Sequence, residues 1–283
     1  MDSIRDSVRA GLLTLLLPTI LLAQDGWGTL AARPGEHGVW IPPNAGDERL
    51  VELDSTSTAP VNPFAIETNP LQRTPRAAPP VVAGFRKLKL GEVPFQPWAR
   101  AIYIHRQENQ LEPHTRCKPS GGPRQFLTPY GVDFIELPDI NQVLIVDIGG
   151  PHTLRTIFMD GRPHPADLAP GYLGHSIGHW DNRTLVVDTT GFNERFWIDR
   201  WGLPHTQQLH VIERFTRVDG STLKYEVTID DPGAYTAAWT SGLLLRWDGT
   251  QELFEYVCQD NNLAPQLMVG TSESVDRNSL VVP

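Results

Sequence analysis

Two histidines in the stretch GHSIGHWD (174–181), His175 and His179, lie four residues apart. On a helix this spacing would place both imidazoles on one face, as in a common metal-binding pair. Gly174 and Gly178 make a regular helix unfavourable. In an extended segment the two side chains would share a face but lie about 13 Å apart, too far to bind one metal ion. The spacing therefore argues against a helical metal-binding pair, and a site that combines one of these histidines with His205 or His210 and a carboxylate is the alternative. A general acid or base is favoured over a metal ligand, and for each single histidine a structural hydrogen bond is favoured over both.

A carboxylate is predicted to point into the protein interior. In the stretch 209–218, Glu213 shares a face with the apolar residues Val211 and Phe215, because successive side chains of a strand alternate between its two faces. Burial would raise the pKa of this carboxyl group, which makes it a candidate general acid or base. The alternatives are an ion pair with a nearby arginine and a register that is shifted by one residue.

Other polar residues complete a candidate site. Arg155 shares a face with Ile157 and Met159, so it could neutralise Glu213 or bind an anionic or carbonyl-bearing ligand. Asp188, in LVVDTT, is expected near a strand end. The predicted catalytic residues are Glu213, His175, His179 and Asp188, and the predicted substrate-binding residues are Arg155, Tyr225, Trp180 and His210.

The composition and the N-terminus indicate an exported, acidic protein. The chain has 283 residues and a net charge of −9, which argues against nucleic-acid binding because phosphate contacts need a basic surface. Residues 1–23 resemble a signal peptide, with two early arginines before an apolar run at 10–23. An uncleaved anchor is the alternative. After cleavage no membrane segment is expected, since no other stretch is apolar enough to span a bilayer.

The two cysteines, Cys117 and Cys258, form an even pair. In an exported protein such a pair favours a disulfide bond, with two buried free thiols as the alternative. Other sequence signals are missing: there is no G-x-S-x-G elbow, no Walker loop and no G-x-G-x-x-G motif after a strand. No redox cofactor or metal ion is therefore expected.

The order of elements predicts three regions after residue 23. Residues 24–97 are rich in proline, and we expect an extended arm anchored at GVW (38–40), with disorder as the alternative. The stretch 94–113 favours a helix, with Trp98, Ile102, His105 and Leu111 on one side. Short strands follow, at 132–138, 142–148, 153–159, 183–190, 209–218, 221–229, 243–247 and 251–258. GHSIGHWD is predicted to be a bend that leads into the strand after it.

These strands and their turns predict the fold class. The dipeptide Asp219-Gly220 between two alternating runs is a strong hairpin signal, and a second DG lies between 243–247 and 251–258. About eight antiparallel strands at this spacing favour a lipocalin-like meander barrel, with a sandwich as the alternative. The sequence thus predicts a mainly β protein, in which helix and barrel occupy 98–283. A barrel of this size can hold one small ligand in its mouth.

Several stretches resemble a known group of proteins. They are RCKPSGGPRQ (116–125), the long segments 160–197 and 204–240, and EYVCQDNN (255–262). Together with GVW, they resemble a family of exported proteins common in Gram-negative bacteria. The likeness covers most of the chain after residue 23. It implies export and a β-rich domain, but it assigns no catalytic residue.

Two functions of different classes follow from these observations. The first is an exported enzyme that binds a small organic molecule and catalyses a cyclisation, isomerisation, dehydration or elimination by acid–base chemistry. The second is a non-catalytic periplasmic binding protein, in which the same polar groups only orient a ligand. A metal-assisted hydrolase is a third hypothesis. The sequence indicates neither the substrate nor an oligomeric state.

Overall fold

The computed structural model of the chain describes residues 30, 38–42, 49–52, 82, 85–109, 112–128, 130–147 and 152–259. The predicted signal peptide (1–23) and most of the predicted arm lie outside these residues.

Within this part of the chain the structure contains strands, one α-helix and short 3-10 helices. The strands are β1 (Val39–Ile41), β2 (Val51–Glu52), β3 (Leu88–Lys89), β4 (Val132–Leu137), β5 (Gln142–Asp147), β6 (Leu154–Phe158), β7 (His175–Asp181), β8 (Thr184–Thr190), β9 (His210–Arg217), β10 (Thr222–Asp230) and β11 (Trp239–Asp248). The helix α1 is Pro97–Asn109, and the 3-10 helices are Leu90–Glu92, Pro113–Arg116, Gly122–Leu127 and Pro138–Ile140.

Nine of these strands form a closed barrel, which confirms the predicted fold class. Their order around the barrel is β1-β11-β10-β9-β8-β7-β6-β5-β4, and β2 pairs with β3 separately. Neighbouring strands are antiparallel except at one joint, where β6 and β7 run parallel. Parallel neighbours need a crossover connection, and residues 159–174 provide it without a helix. We call residues 159–174 the crossover segment.

A short strand from the predicted arm closes the barrel. Trp40 of β1 pairs with Trp247 of β11 on one side and with Val132 of β4 on the other. The Trp40 side chain is fully buried, and its indole N–H donates to the carbonyl of Leu30. The GVW stretch, predicted as an anchor, therefore supplies part of the barrel wall.

Three local predictions were wrong. GHSIGHWD forms strand β7 instead of a bend, and residues 251–258 form no strand. The buried face of α1 carries Ala99 and Tyr103, whereas Trp98 is 45 % exposed. Leu111 lies outside the described residues. No helix in the described part of the chain is long and apolar enough to span a membrane.

An aromatic side chain fills part of the barrel interior. All six residues of the 3-10 helix Gly122–Leu127 are buried. Its Phe126 ring packs against inward-facing rings of three strands, with centroid distances of 6.2 Å to Phe134, 5.0 Å to Phe215 and 4.6 Å to Tyr225. Such contacts stabilise a core beyond the area they bury. The interior near Tyr225 is therefore packed with side chains.

A disulfide bond joins Cys117 to Cys258, as the sequence favoured, with 5.6 Å between the two Cα atoms. The bond ties the segment before β4 to the segment after β11, across a sequence separation of 141 residues. Cross-linking a loop of this length restricts the unfolded chain, and the entropy model gives a stabilisation of about 5 kcal/mol.

We predict that replacing both cysteines by serine lowers the free energy of unfolding by about 5 kcal/mol, because the unfolded chain regains the entropy of the open loop. Urea unfolding of the oxidised wild type and of the double variant measures the difference. Reduced wild type is the control and should behave like the variant. Equal unfolding midpoints for oxidised wild type and variant would contradict the prediction.

Candidate functional site

One group of predicted site residues comes together inside the barrel. The Arg155 guanidinium on β6 forms a bidentate ion pair with the Glu213 carboxylate on β9. Arg155 also donates to the hydroxyls of Ser176 (2.9 Å) and Thr189 (2.7 Å). The Tyr225 hydroxyl donates to Glu213 at 2.9 Å. We call these five residues the interior network.

The interior network is sealed from solvent. Each of its five residues is at most 1 % exposed. Burial and the neighbouring Glu213 carboxylate raise the pKa of Tyr225 well above its ordinary value, so the phenol stays a neutral donor. The ion pair with an arginine, which was the alternative to a catalytic Glu213, is present. A catalytic role of Glu213 stays a prediction, and it would require the packed interior to open.

A second group lies on the outside of the same barrel wall. The Oδ1 atom of Asp188 on β8 lies 3.1 Å from Nε2 of His164 and 2.8 Å from Nε2 of His210. The Nδ1 atoms of His164 and His175 are 2.8 Å apart. We call these four residues the histidine–aspartate cluster. The Asp188 and His210 side chains are each 38 % exposed, and that of His164 is 21 % exposed.

The strand register explains how these side chains meet. On the outer face, Asp188 lies between Ile177 of β7 and Ile212 of β9. His175 and His210 are each two residues from these isoleucines, so they lie diagonally from Asp188, within reach of long side chains. Asp188 thus lies in the middle of the sheet face and not at a strand end.

His164 reaches the cluster from the crossover segment. It stands between Pro163 and Pro165, whose rings restrict the backbone on both sides of the histidine. The crossover segment connects β6 to β7, and this connection brings His164 over His175, the first residue of β7.

Gly178 allows β7 to lie close to β6, since a Cβ at this position would be 2.7 Å from Cγ2 of Ile157.

Aromatic and charged groups surround His175. The Phe158 ring stacks on the imidazole with 5.1 Å between centroids. The Arg162 guanidinium lies over the Phe158 ring, with 4.1 Å between its Cζ atom and the ring centroid. Arg162 also forms an ion pair with Asp160. Burial, His164 and Arg162 lower the pKa of His175 from its ordinary value of 6.5. His175 is therefore neutral at neutral pH.

Two predicted site residues belong to neither group. His179 is exposed and makes no hydrogen bond or ion pair with the described part of the chain. Trp180 pairs with Leu185 and packs partly buried against the core, away from the cluster. The structure does not bring them together with Asp188, because the even spacing of strand residues fixes a face but not a distance. Their predicted roles stay predictions.

His164 of the cluster was not predicted as a site residue, and neither were Ser176 and Thr189 of the interior network. The proline-flanked RPHP stretch was the one local signal for His164, since prolines hold a side chain in a defined direction. Within the described residues, no group of three or more histidine, cysteine, aspartate or glutamate residues is arranged to hold a metal ion.

We predict that Glu213→Gln lowers the free energy of unfolding by about 3–5 kcal/mol, because the buried Arg155 charge loses its partner. The glutamine side chain has nearly the same shape as glutamate, so a cavity would not account for the loss of unfolding free energy. Urea unfolding monitored by circular dichroism measures it. Arg155→Met combined with Glu213→Leu is the control and should lose less, since neither charge remains. An unchanged unfolding midpoint for Glu213→Gln would refute the prediction.

Comparison of the chain with protein-family models, with curated proteins and with solved structures found no match in any of the three.

Proposed function

We propose that this chain is an exported enzyme that catalyses proton transfer on a small organic molecule at the histidine–aspartate cluster. One observation carries the proposal: three imidazoles and one carboxylate form a single hydrogen-bonded chain on a partly exposed wall. Imidazole is the side chain whose ordinary pKa suits both proton uptake and proton release near neutral pH.

The hydrogen bonds define where the protons are. Asp188 Oδ1 accepts from Nε2–H of His164 and from Nε2–H of His210. His164 therefore has a lone pair on Nδ1, which accepts Nδ1–H of His175. The order of the chain is His175, His164, Asp188 and His210.

Each end of this chain offers an open nitrogen. Nε2 of His175 and Nδ1 of His210 carry lone pairs and make no hydrogen bond within the described part of the chain. His175 is the stronger candidate for the general base, because its lowered pKa keeps it unprotonated at neutral pH. A proton taken up at Nε2 of His175 allows Nδ1–H to pass toward His164, whose Nε2–H points at Asp188. The proton is returned from Nε2 of His175, and the lone pair on Nδ1 of His210 offers a second base at the other end of the chain.

This arrangement supports the isomerisation, elimination, dehydration or cyclisation classes, in which a base removes one proton and an acid supplies another. It needs no redox step. The interior network is the weaker candidate, since all of its residues are buried and its ion pair is already satisfied. A non-catalytic binding protein is the alternative function, in which the cluster only orients its ligand.

Export is part of the proposal, as is membership of the exported family that the sequence resembles. The disulfide bond between Cys117 and Cys258 supports export, because such bonds persist in oxidising compartments. The closed β-barrel agrees with the β-rich domain that the resemblance implies.

The proposal is tested with 5-nitrobenzisoxazole, a probe that ring-opens when a base removes its C–H proton. We predict that the second-order rate constant of His175→Gln is at least about tenfold lower than that of the wild type, since a positioned general base contributes about 10²–10⁴-fold. The absorbance of the phenolate product measures the rate. His179→Gln is the matched control, because it removes an exposed histidine from the same strand, and it should keep the wild-type rate.

Two outcomes would count against catalysis at the cluster. A wild-type rate no higher than that of free imidazole at equal concentration would favour the binding protein. An equal loss in His175→Gln and His179→Gln would show that the probe reacts with histidines in general.

The rate should also depend on pH in a defined direction. His175 acts as a base only when unprotonated, so we predict that activity is retained above pH 6.5 and falls at lower pH, with a midpoint below 6.5. A pH–rate profile with the same probe measures the midpoint. A midpoint above 6.5 would exclude His175 as the base.

A further inference from the structure

We infer that the crossover segment is a lid, held against the barrel wall by the His164–His175 hydrogen bond, and that acidification releases it. The inference builds on the proposed function, because the released lid would change access to the histidine–aspartate cluster. The lid itself can be observed without any substrate.

The segment is attached to the barrel by its backbone only at its two ends. Met159 N–H donates to the carbonyl of Asn141, and Gly171 N–H donates to the carbonyl of Gly191. Between these ends, residues 160–170 make no backbone hydrogen bond to the rest of the described chain. Side chains must therefore hold the middle of the segment.

Three side chains provide this attachment, and one of them is Arg162, whose guanidinium lies over the Phe158 ring of β6. Residues 161–170 are all exposed except His164 and Leu168. Leu168 packs over Gly191, where a Cβ atom would lie 3.0 Å from its Cδ1. His164 makes the polar attachment, with one ring nitrogen on His175 and the other on Asp188. A change in the protonation of the two imidazoles acts directly on this attachment.

Proton counting shows when the attachment breaks. With both rings neutral, His175 donates from Nδ1 and His164 accepts. If one proton is added to His164, its Nδ1–H can donate to His175 and its Nε2–H still faces the Asp188 carboxylate. If His175 is protonated as well, both Nδ1 atoms carry hydrogen and neither can accept. The second proton therefore replaces the hydrogen bond by repulsion between two cations.

The elements packed around this pair carry several charged or titratable groups. They are Asp160, Arg162 and Asp167 on the crossover segment, Asp188 on β8, His210 on β9 and Asp230, which lies opposite His210 on β10. Arg162 opposes a positive charge on His175, and the ion pair of Arg162 with Asp160 reduces this repulsion. Contact with the crossover segment therefore disfavours the protonated form of His175.

The direction of the pH dependence follows from His175. Burial, His164 and Arg162 lower its pKa in the folded protein from the ordinary 6.5. The released segment, in which His175 is solvated, therefore binds the proton more tightly than the closed one. Stabilisation of the closed segment is complete above pH 6.5 and is lost as the pH falls below 6.5 through the lowered pKa.

Backbone ¹⁵N relaxation of the whole protein tests the lid at pH 7.5 and at an acidic pH at which the ring carbon shifts of His175 show that it is protonated. We expect order parameters of the amides in 161–169 to fall from about 0.85 to below about 0.6 on acidification, following the titration of the His175 imidazole. His164→Ala should give the low values at both pH values. His179→Ala is the control and should behave like the wild type, and the amides of β8–β10 should stay rigid throughout.

Two results would overturn the inference: order parameters that stay high in the wild type once the His175 ring is protonated, or a His164→Ala segment as rigid as the wild type at pH 7.5. Neither result bears on the proposed role of His175 as a base, because the relaxation experiment contains no 5-nitrobenzisoxazole. A failed probe assay likewise leaves the relaxation result standing, so the two proposals fail separately.

Discussion

The buried ion pair between Arg155 and Glu213 is the interaction on which the arrangement of this barrel wall depends. Through Arg155, Ser176, Thr189, Glu213 and Tyr225 it joins five consecutive strands, β6 to β10. The parallel joint between β6 and β7 has only two paired positions, and the Arg155 bond to Ser176 crosses this joint. Among these five strands, the network therefore adds a connection where the backbone ladder has the fewest pairs.

Strands β7 and β8 contribute to both the interior network and the histidine–aspartate cluster, because successive side chains point to opposite faces of the barrel wall. His175 faces out and Ser176 faces in, while Asp188 faces out and Thr189 faces in. A slip of one residue in any of these strands would exchange the two faces. Since Arg155 has a satisfied partner only in the observed register, the interior network also positions the outer cluster.

Local rules predicted much of this structure. Alternation placed Glu213, Tyr225 and Arg155 inside, and the Asp219-Gly220 signal predicted the hairpin that β9 and β10 form. These inferences succeed because strand periodicity and turn chemistry act over a few residues. The disulfide bond was predicted on a different ground, since Cys117 and Cys258 are the two cysteines of the sequence and form an even pair.

The remaining features depend on contacts between residues far apart in sequence. Phe126 fills the barrel from a 3-10 helix without apolar periodicity, and Trp40 closes it from a proline-rich stretch. His164 lies in an exposed loop, and only the parallel β6–β7 joint brings it to His175. Periodicity fixes which way a side chain faces, but it does not determine which distant segment lies beside it.

The interior network and the histidine–aspartate cluster differ in solvent exposure, and this difference determines what chemistry each group can do. Within the interior network, each charge is matched and desolvated, so moving a proton would leave an unpaired charge in a dry core. In the histidine–aspartate cluster, one carboxylate serves two imidazoles while Asp188 and His210 stay 38 % exposed. Water can compensate a charge there, so protons can enter and leave at modest cost. The buried interior network therefore connects the strands, and the histidine–aspartate cluster on the outer face of the same strands stays in contact with water.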